Sequence, residues 1–202
     1  MAWDRDPTLV NPLSAAPRGL LLDPHYRAGV VQLGSLGLSY DAWLFFPQLP
    51  EVSIWLRRIR IFQSSSITAA GIVRISSYRD RRKEVFETWA RSMRQLARLH
   101  NVYVKLGGLG MRINGFDFEK GERPPSSLEL AETWKPRMHT CIEAFGVNRR
   151  MFESNFPVDK GSYPYSNGWN AFKRLTRQAS AEERAALFRG TATTVYRLSS
   201  PV

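Results

Sequence analysis

The sequence predicts an α/β fold made of parallel βα units. Two observations carry this reading. Short β-rich runs alternate with helical stretches of about 10–18 residues, the pattern that crossover connections assemble into a parallel sheet. Those runs also end in glycine, proline or polar residues, as strands do where they open into loops. Right-handed crossovers of this kind build either an open sheet or a barrel, and periodicity leaves both open. The 202 residues, 43% hydrophobic and 23% charged, have the composition of a globular chain with one sizeable core or part of a larger one.

Residues 1–22 lack periodicity and are expected to be loop. Asp23-Pro24 predicts a capped helix start, and Tyr26, Val30 and Leu33 follow at helical spacing up to a glycine stop at Gly37. Leu38 to Phe45 reads as a strand, and Pro47-Gln48-Leu49-Pro50 opens a helix. Arg82 to Leu99 is the clearest helix, with Val85, Phe86, Trp89, Met93, Leu96 and Ala97 on one apolar face. Val102 to Leu106 is a strand running into Gly107-Gly108, and residues 110–125 are loop. Ser126 or Ser127 caps a helix that Pro136 is expected to kink or split. Arg150 to Ser154 is the next strand. Trp169 to Leu175 is helical, Ser180 and Glu183 form a capping box, and a last helical stretch runs from Thr191 to Leu198.

The segment 53–76 fits none of this. It shows no helical stripe and no clean alternation, and it carries Arg57, Arg58, Arg60 and Arg74 without one acidic residue. Those four contribute to a net charge of +11, for which nucleic acid or an anionic membrane is the usual partner. No nucleic-acid motif accompanies the charge, so neither partner is expected. The N-terminus has no signal-peptide pattern, no apolar run reaches the ~20 residues of a membrane helix, and the lone Cys141 rules out an internal disulfide. A cytoplasmic location is the resulting expectation.

The stretch 151–160 concentrates the chemistry. An apolar pair, Met151-Phe152, leads into Glu153, Ser154 and Asn155, and Phe156-Pro157 then stops any ladder. Polar residues at the C-terminal tip of a buried strand are where α/β folds place their sites. Gly107-Gly108-Leu109-Gly110 matches neither a dinucleotide nor a P-loop spacing and reads as a turn.

Five stretches together resemble the amidohydrolase-related family, metal-dependent hydrolases of TIM-barrel fold: LGLSYDAWLFFPQLPE (34–51), YRDRRKEVFETWARSMRQLA (78–97), NVYVKLGGLGM (101–111), CIEAFGVNRRMFESNFPVDK (141–160) and LFRGTATTVYRL (187–198). The resemblance implies a partial (β/α)8 barrel, roughly its C-terminal half, forming one domain incomplete on the N-terminal side. It implies a hydrolase of a small lactone, amide or related cyclic substrate, with a divalent metal, zinc or manganese, as cofactor. Oligomers are compatible with it. Asn155, Asp159 and Asp41 are the catalytic candidates it suggests, with Lys105, Gln48 and Glu153 for substrate binding. Lys105 would meet a substrate carboxylate.

The departures from the family pattern are specific. The His-x-His pair of the family's first strand is absent, and His25, His100 and His139 fall on helices or at a helix end. Asn155 stands where relatives often carry aspartate, and an amide is neither a general base nor a good ligand for a transition metal. Phe46 stands where histidine is common. The expectation is therefore that this chain alone holds no catalytic metal, which leaves open whether the hydrolase implied by the resemblance is active as it stands. A non-catalytic fragment or interaction protein is the alternative.

One further expectation concerns residues 54–71. The family places a helix end, a buried strand and a strand-tip histidine there. Codons compatible with IWLRRIRIFQSSSITAAG, read one frame over, spell LAPAYPDIPVVINHCGG. That string ends a helix, turns at Tyr-Pro-Asp, runs Ile-Pro-Val-Val-Ile as a parallel strand and puts histidine at its tip. The segment is accordingly expected to be a frameshifted stretch, bounded by compensating shifts near Ser53 and Ile72, and to pack poorly as given.

Overall fold

A computed structural model describes residues 3–9, 16–57, 65–68 and 71–199. In chain order the regular elements are α1 (Pro24–Ser35), β1 (Tyr40–Ala42), α2 (Leu49–Leu56), β2 (Ser65–Thr68), α3 (Arg82–Leu96), β3 (Val102–Leu106), α4 (Ser127–Phe145), β4 (Arg150–Phe152), α5 (Tyr165–Leu175), α6 (Ala181–Ala185) and α7 (Thr191–Tyr196). A single π-turn, Ala186–Gly190, links the last two helices.

The four strands form one parallel sheet in the order β1-β2-β3-β4. Sequential order without reversal distinguishes a singly wound, barrel-type sheet from a doubly wound one, where the order reverses at a switch point. The register pairs Asp41 with Ser66 and Ser66 with Tyr103, then Thr68 with Lys105 and Lys105 with Met151. Partners in a parallel pair point to the same face. One face therefore carries Asp41, Thr68, Tyr103, Lys105, Met151 and Glu153. The other carries Val102, Val104 and Leu106, which are fully buried, and α4 packs on β3.

Local chemistry sets the helix ends. Asp23 accepts from the Tyr26 amide at 2.8 Å, with Pro24 at the first helical position of α1. Ser126 and Glu129 close a reciprocal capping box on α4, and Ser180 and Glu183 do the same on α6. In α3, Val85, Trp89, Met93 and Leu96 are buried at the spacing of one helical face. The core centres on Trp55, Trp89, Trp134, Phe45, Phe145 and Phe172. Truncating one such aromatic side chain to alanine costs about 3–5 kcal/mol.

Several expectations are corrected. The strand expected over Leu38 to Phe45 shrinks to Tyr40–Ala42, because Phe45 and Phe46 leave the ladder for a one-turn helix, Phe46–Gln48. Pro136 does not divide α4: the helix runs unbroken past it. Helix α5 begins at Tyr165, four residues earlier than Trp169, directly after Pro164. Residues 1–22 include a short 3₁₀ turn, Leu20–Leu22.

The described parts of the irregular segment include regular, buried structure. Trp55 and Leu56 are buried at the end of α2, and Ile67 and Thr68 are buried in β2 between β1 and β3. Poor packing is therefore not observed for those residues. Ile54 is 55% exposed, and Arg57 is exposed. Arg58, Arg60 and the rest of 58–64 and 69–70 lie outside the described residues.

Candidate functional site

The polar face of the sheet converges on Lys105. Its Nζ lies 2.9 Å from Glu153 Oε2 and 3.3 Å from Asp41 Oδ2. The Tyr196 hydroxyl donates to the same Asp41 oxygen at 2.8 Å. Asp41 and Lys105 come from alternate strands, β1 and β3. Thr68 and Glu153 come from the other alternate pair, β2 and the end of β4. This is how layers of inward side chains are built in a (β/α)8 barrel. Asp41, Lys105 and Glu153, singled out in the sequence, are thus brought together.

Two carboxylates share one ammonium here. Burial disfavours the Lys105 charge, but Glu153 and Asp41 beside it outweigh this and hold its pKa above the ordinary lysine value. Burial pushes the Glu153 carboxyl up, and Lys105 and Thr68 pull it only partway back. Glu153 Oε1 is buried and has no hydrogen-bond partner among the described residues. A carboxyl with a raised pKa and a free oxygen, next to a fixed cation, can exchange a proton with a bound molecule.

The other candidates make separate contacts. Asp159 is fully buried. Its Oδ2 accepts from the Gly110 amide at 3.0 Å and the Tyr163 hydroxyl at 2.7 Å, and its Oδ1 accepts from Asn155 Nδ2 at 2.7 Å. Burial raises the Asp159 pKa and these donors oppose the shift. Asn155 adopts a left-handed conformation, φ 55, which asparagine tolerates better than most residues. Together they tie the loop after β4 to the loop after β3. Gln48 is buried, and its Oε1 accepts from the backbone of Trp3 at 3.0 Å and Phe45 at 3.3 Å. Phe46 is buried edge-on to Tyr78.

Tyr196 and Thr68 are the contributors that sequence reasoning missed. Tyr196 lies in the LFRGTATTVYRL motif, yet nothing in that motif announces that α7 returns to β1, where Val195 and Arg197 also bond Ser39 and Gly37. Thr68 lies inside the segment with no readable pattern.

A divalent metal does not fit these residues by themselves. Among the described residues no three His, Cys, Asp or Glu side chains converge. The two facing carboxylates are already bridged by the Lys105 ammonium. Both remaining oxygens of the Asn155–Asp159 unit's carboxylate are taken by protein donors. No helix among the described residues is long and apolar enough to cross a membrane.

Comparison with known proteins bears on the family and the fold. The chain is 37% identical over 175 residues to an uncharacterized protein of Sinorhizobium fredii, covering 87% of this chain and 52% of that protein. It is 29% identical over 185 residues to an L-fucono-1,5-lactonase of Burkholderia multivorans, covering 91% of this chain and 60% of the lactonase. A solved amidohydrolase from Burkholderia multivorans with bound zinc superposes with a TM-score of 0.76 at 27% identity, covering 90% of this chain and 60% of that one. The chain thus spans between half and three-fifths of these relatives, and its four βα units correspond to a partial (β/α)8 barrel. With the amidohydrolase family model matching residues 69–198, the chain belongs to the amidohydrolase family.

Proposed function

We propose that this chain contributes the Lys105–Glu153 centre of a hydrolase that opens a small cyclic ester, a lactone. The observation that carries the reading is Glu153 Oε1: a buried carboxylate oxygen without a partner among the described residues, at the C-terminal tip of β4, beside a lysine held charged. The lactonase among the relatives supplies the substrate class.

In this reading Lys105 binds the developing negative charge on the carbonyl oxygen. Glu153 takes a proton from water as the water oxygen bonds to the carbonyl carbon. It returns that proton to the ring oxygen as the acyl–oxygen bond breaks, giving the hydroxy acid. Asp41, held by Tyr196, fixes Lys105 from its other side. Asn155 and Asp159 shape the neighbouring loops. The metal of the family would need ligands beyond the described residues, so no step passes through it.

The test is a pH-stat assay of L-fucono-1,5-lactone hydrolysis. The 202-residue chain is assayed alone and joined to the N-terminal two-fifths of the Burkholderia lactonase. The reading predicts turnover by the joined protein. A folded, joined protein without hydrolysis above background favours the alternative of a non-catalytic interaction protein.

A further inference from the structure

A cleft of about 590 Å³ opens between the loop that follows β3 and the loop that follows β4. Its walls include Phe118, Phe156 and Tyr165, the last 53% exposed, and Phe156 meets Tyr165 edge-on at 5.1 Å. Lys160 lines it too, is exposed, and has no carboxylate partner among the described residues. Glu119, the acidic residue of the lining, is already paired with Arg112 at 3.6 Å.

The cleft is preformed. Asp159 bonds the Gly110 amide on one loop and the Tyr163 hydroxyl on the other, and the Ser162 hydroxyl donates to the Gly110 carbonyl at 2.6 Å. The two loops pack so closely that a Cβ at Gly110 would stand 2.6 Å from the Tyr163 ring and 2.8 Å from the Asp159 carboxyl carbon. Only glycine fits there. Tyr163 also lines the cleft, and Phe156 follows Glu153 by three residues on the loop that leaves β4. The cleft therefore lies outside the carboxyl ends of β3 and β4, the strand ends that carry Lys105 and Glu153, where ligands of parallel sheets bind.

Aromatic walls favour a ring, and one uncompensated ammonium at the rim favours an anion on it. We infer that this cleft is the specificity subsite for a carboxylated cyclic ester, with Lys160 as the residue that meets the carboxylate. This inference rests on the hydrolase reading above for the identity of the ester, and on the cleft alone for its preference for an anionic ring.

The experiment compares isocitric lactone, a carboxylated ring, with neutral γ-butyrolactone. Binding is followed by NMR in the 202-residue chain, and KM is measured in the joined protein. Isocitric lactone is expected to bind at least tenfold tighter and to perturb Tyr165 and Lys160. Lys160→Ala should erase that preference and raise KM for isocitric lactone about tenfold with kcat retained, while Lys160→Arg keeps most of it. Lys160 is exposed, so its variants do not depend on the core for folding. Equal affinity for the two lactones, or a preference that survives Lys160→Ala, overturns the subsite. Isocitric lactone bound through Lys160 but never hydrolysed sinks the hydrolase reading and leaves the subsite. Hydrolysis of both lactones with no dependence on Lys160 does the reverse.

Discussion

Lys105, on β3, and Glu153, directly after the neighbouring strand β4, meet at 2.9 Å with side chains only 21% and 18% exposed. Removing either partner leaves the other charge poorly solvated, which for buried pairs costs about 3–5 kcal/mol. Partial exposure reduces that, and Lys105→Ala is expected to lose about 2 kcal/mol at pH 7.

The pH dependence of that loss has a definite sign. The folded pKa of Glu153 is raised above its unfolded value. Its neutral form is thus favoured by folding, and that contribution is full below the ordinary glutamate pKa and fades as pH rises through the folded value. Without Lys105 the folded value moves higher still. Chemical denaturation at pH 4.5 and pH 7 should show a larger gap between wild type and Lys105→Ala at pH 7. A gap independent of pH contradicts the pairing.

Asp159→Asn tests the loop junction. Asp159 accepts three protein hydrogen bonds and donates none. An amide there must aim its NH₂ at one or more of those donors. The variant should lose about 2–3 kcal/mol by denaturant melting, since an unmade buried hydrogen bond costs about 1–3 kcal/mol. A loss below about 0.5 kcal/mol, half the lower bound for one such bond, contradicts the junction's role.

The stretches with strong local signals were legible in the sequence. The Asp23-Pro24 start of α1, the apolar face of α3, the Ser180–Glu183 box and the strand 102–106 all stand where periodicity and capping place them. What was not legible depends on contacts distant in sequence. Tyr196 reaches Asp41 across 155 positions. Pro136 stays inside α4 although it cannot donate to the helix ladder, because that helix is held by buried Trp134, Met138 and Cys141 on either side. Lys105, Asp41 and Glu153 were each identifiable as strand-end polar residues. Their mutual pairing followed from the register, which no local pattern encodes.

Metal content is expected to be negligible. The purified 202-residue chain, loaded with zinc or manganese and dialysed, should retain well under one equivalent by elemental analysis. Near-stoichiometric metal would show that residues outside those described complete a ligand set.

Sequencing the locus and its transcript tests the reading frame over 54–71. In the alternative frame the histidine codon overlaps that of Thr68, which sits at the tip of β2 beside Glu153. The prediction is a pair of compensating single-base shifts near Ser53 and Ile72. DNA in which no such shifts yield the Ile-Pro-Val-Val-Ile-Asn-His string would end the idea. If the shifts are found, Thr68→His places an imidazole next to the Lys105–Glu153 pair in the chain as given.

The account turns on Glu153, and the most direct measurement is the turnover of Glu153→Gln in the joined protein with L-fucono-1,5-lactone, with folding checked by circular dichroism. A proton-transferring carboxylate contributes about 10²–10⁴-fold to rate, so kcat is predicted to fall at least about 100-fold while the fold is kept. A folded Glu153→Gln variant whose kcat stays within about threefold of wild type, far short of that range, would contradict the assignment of Glu153 and Lys105 as the catalytic centre.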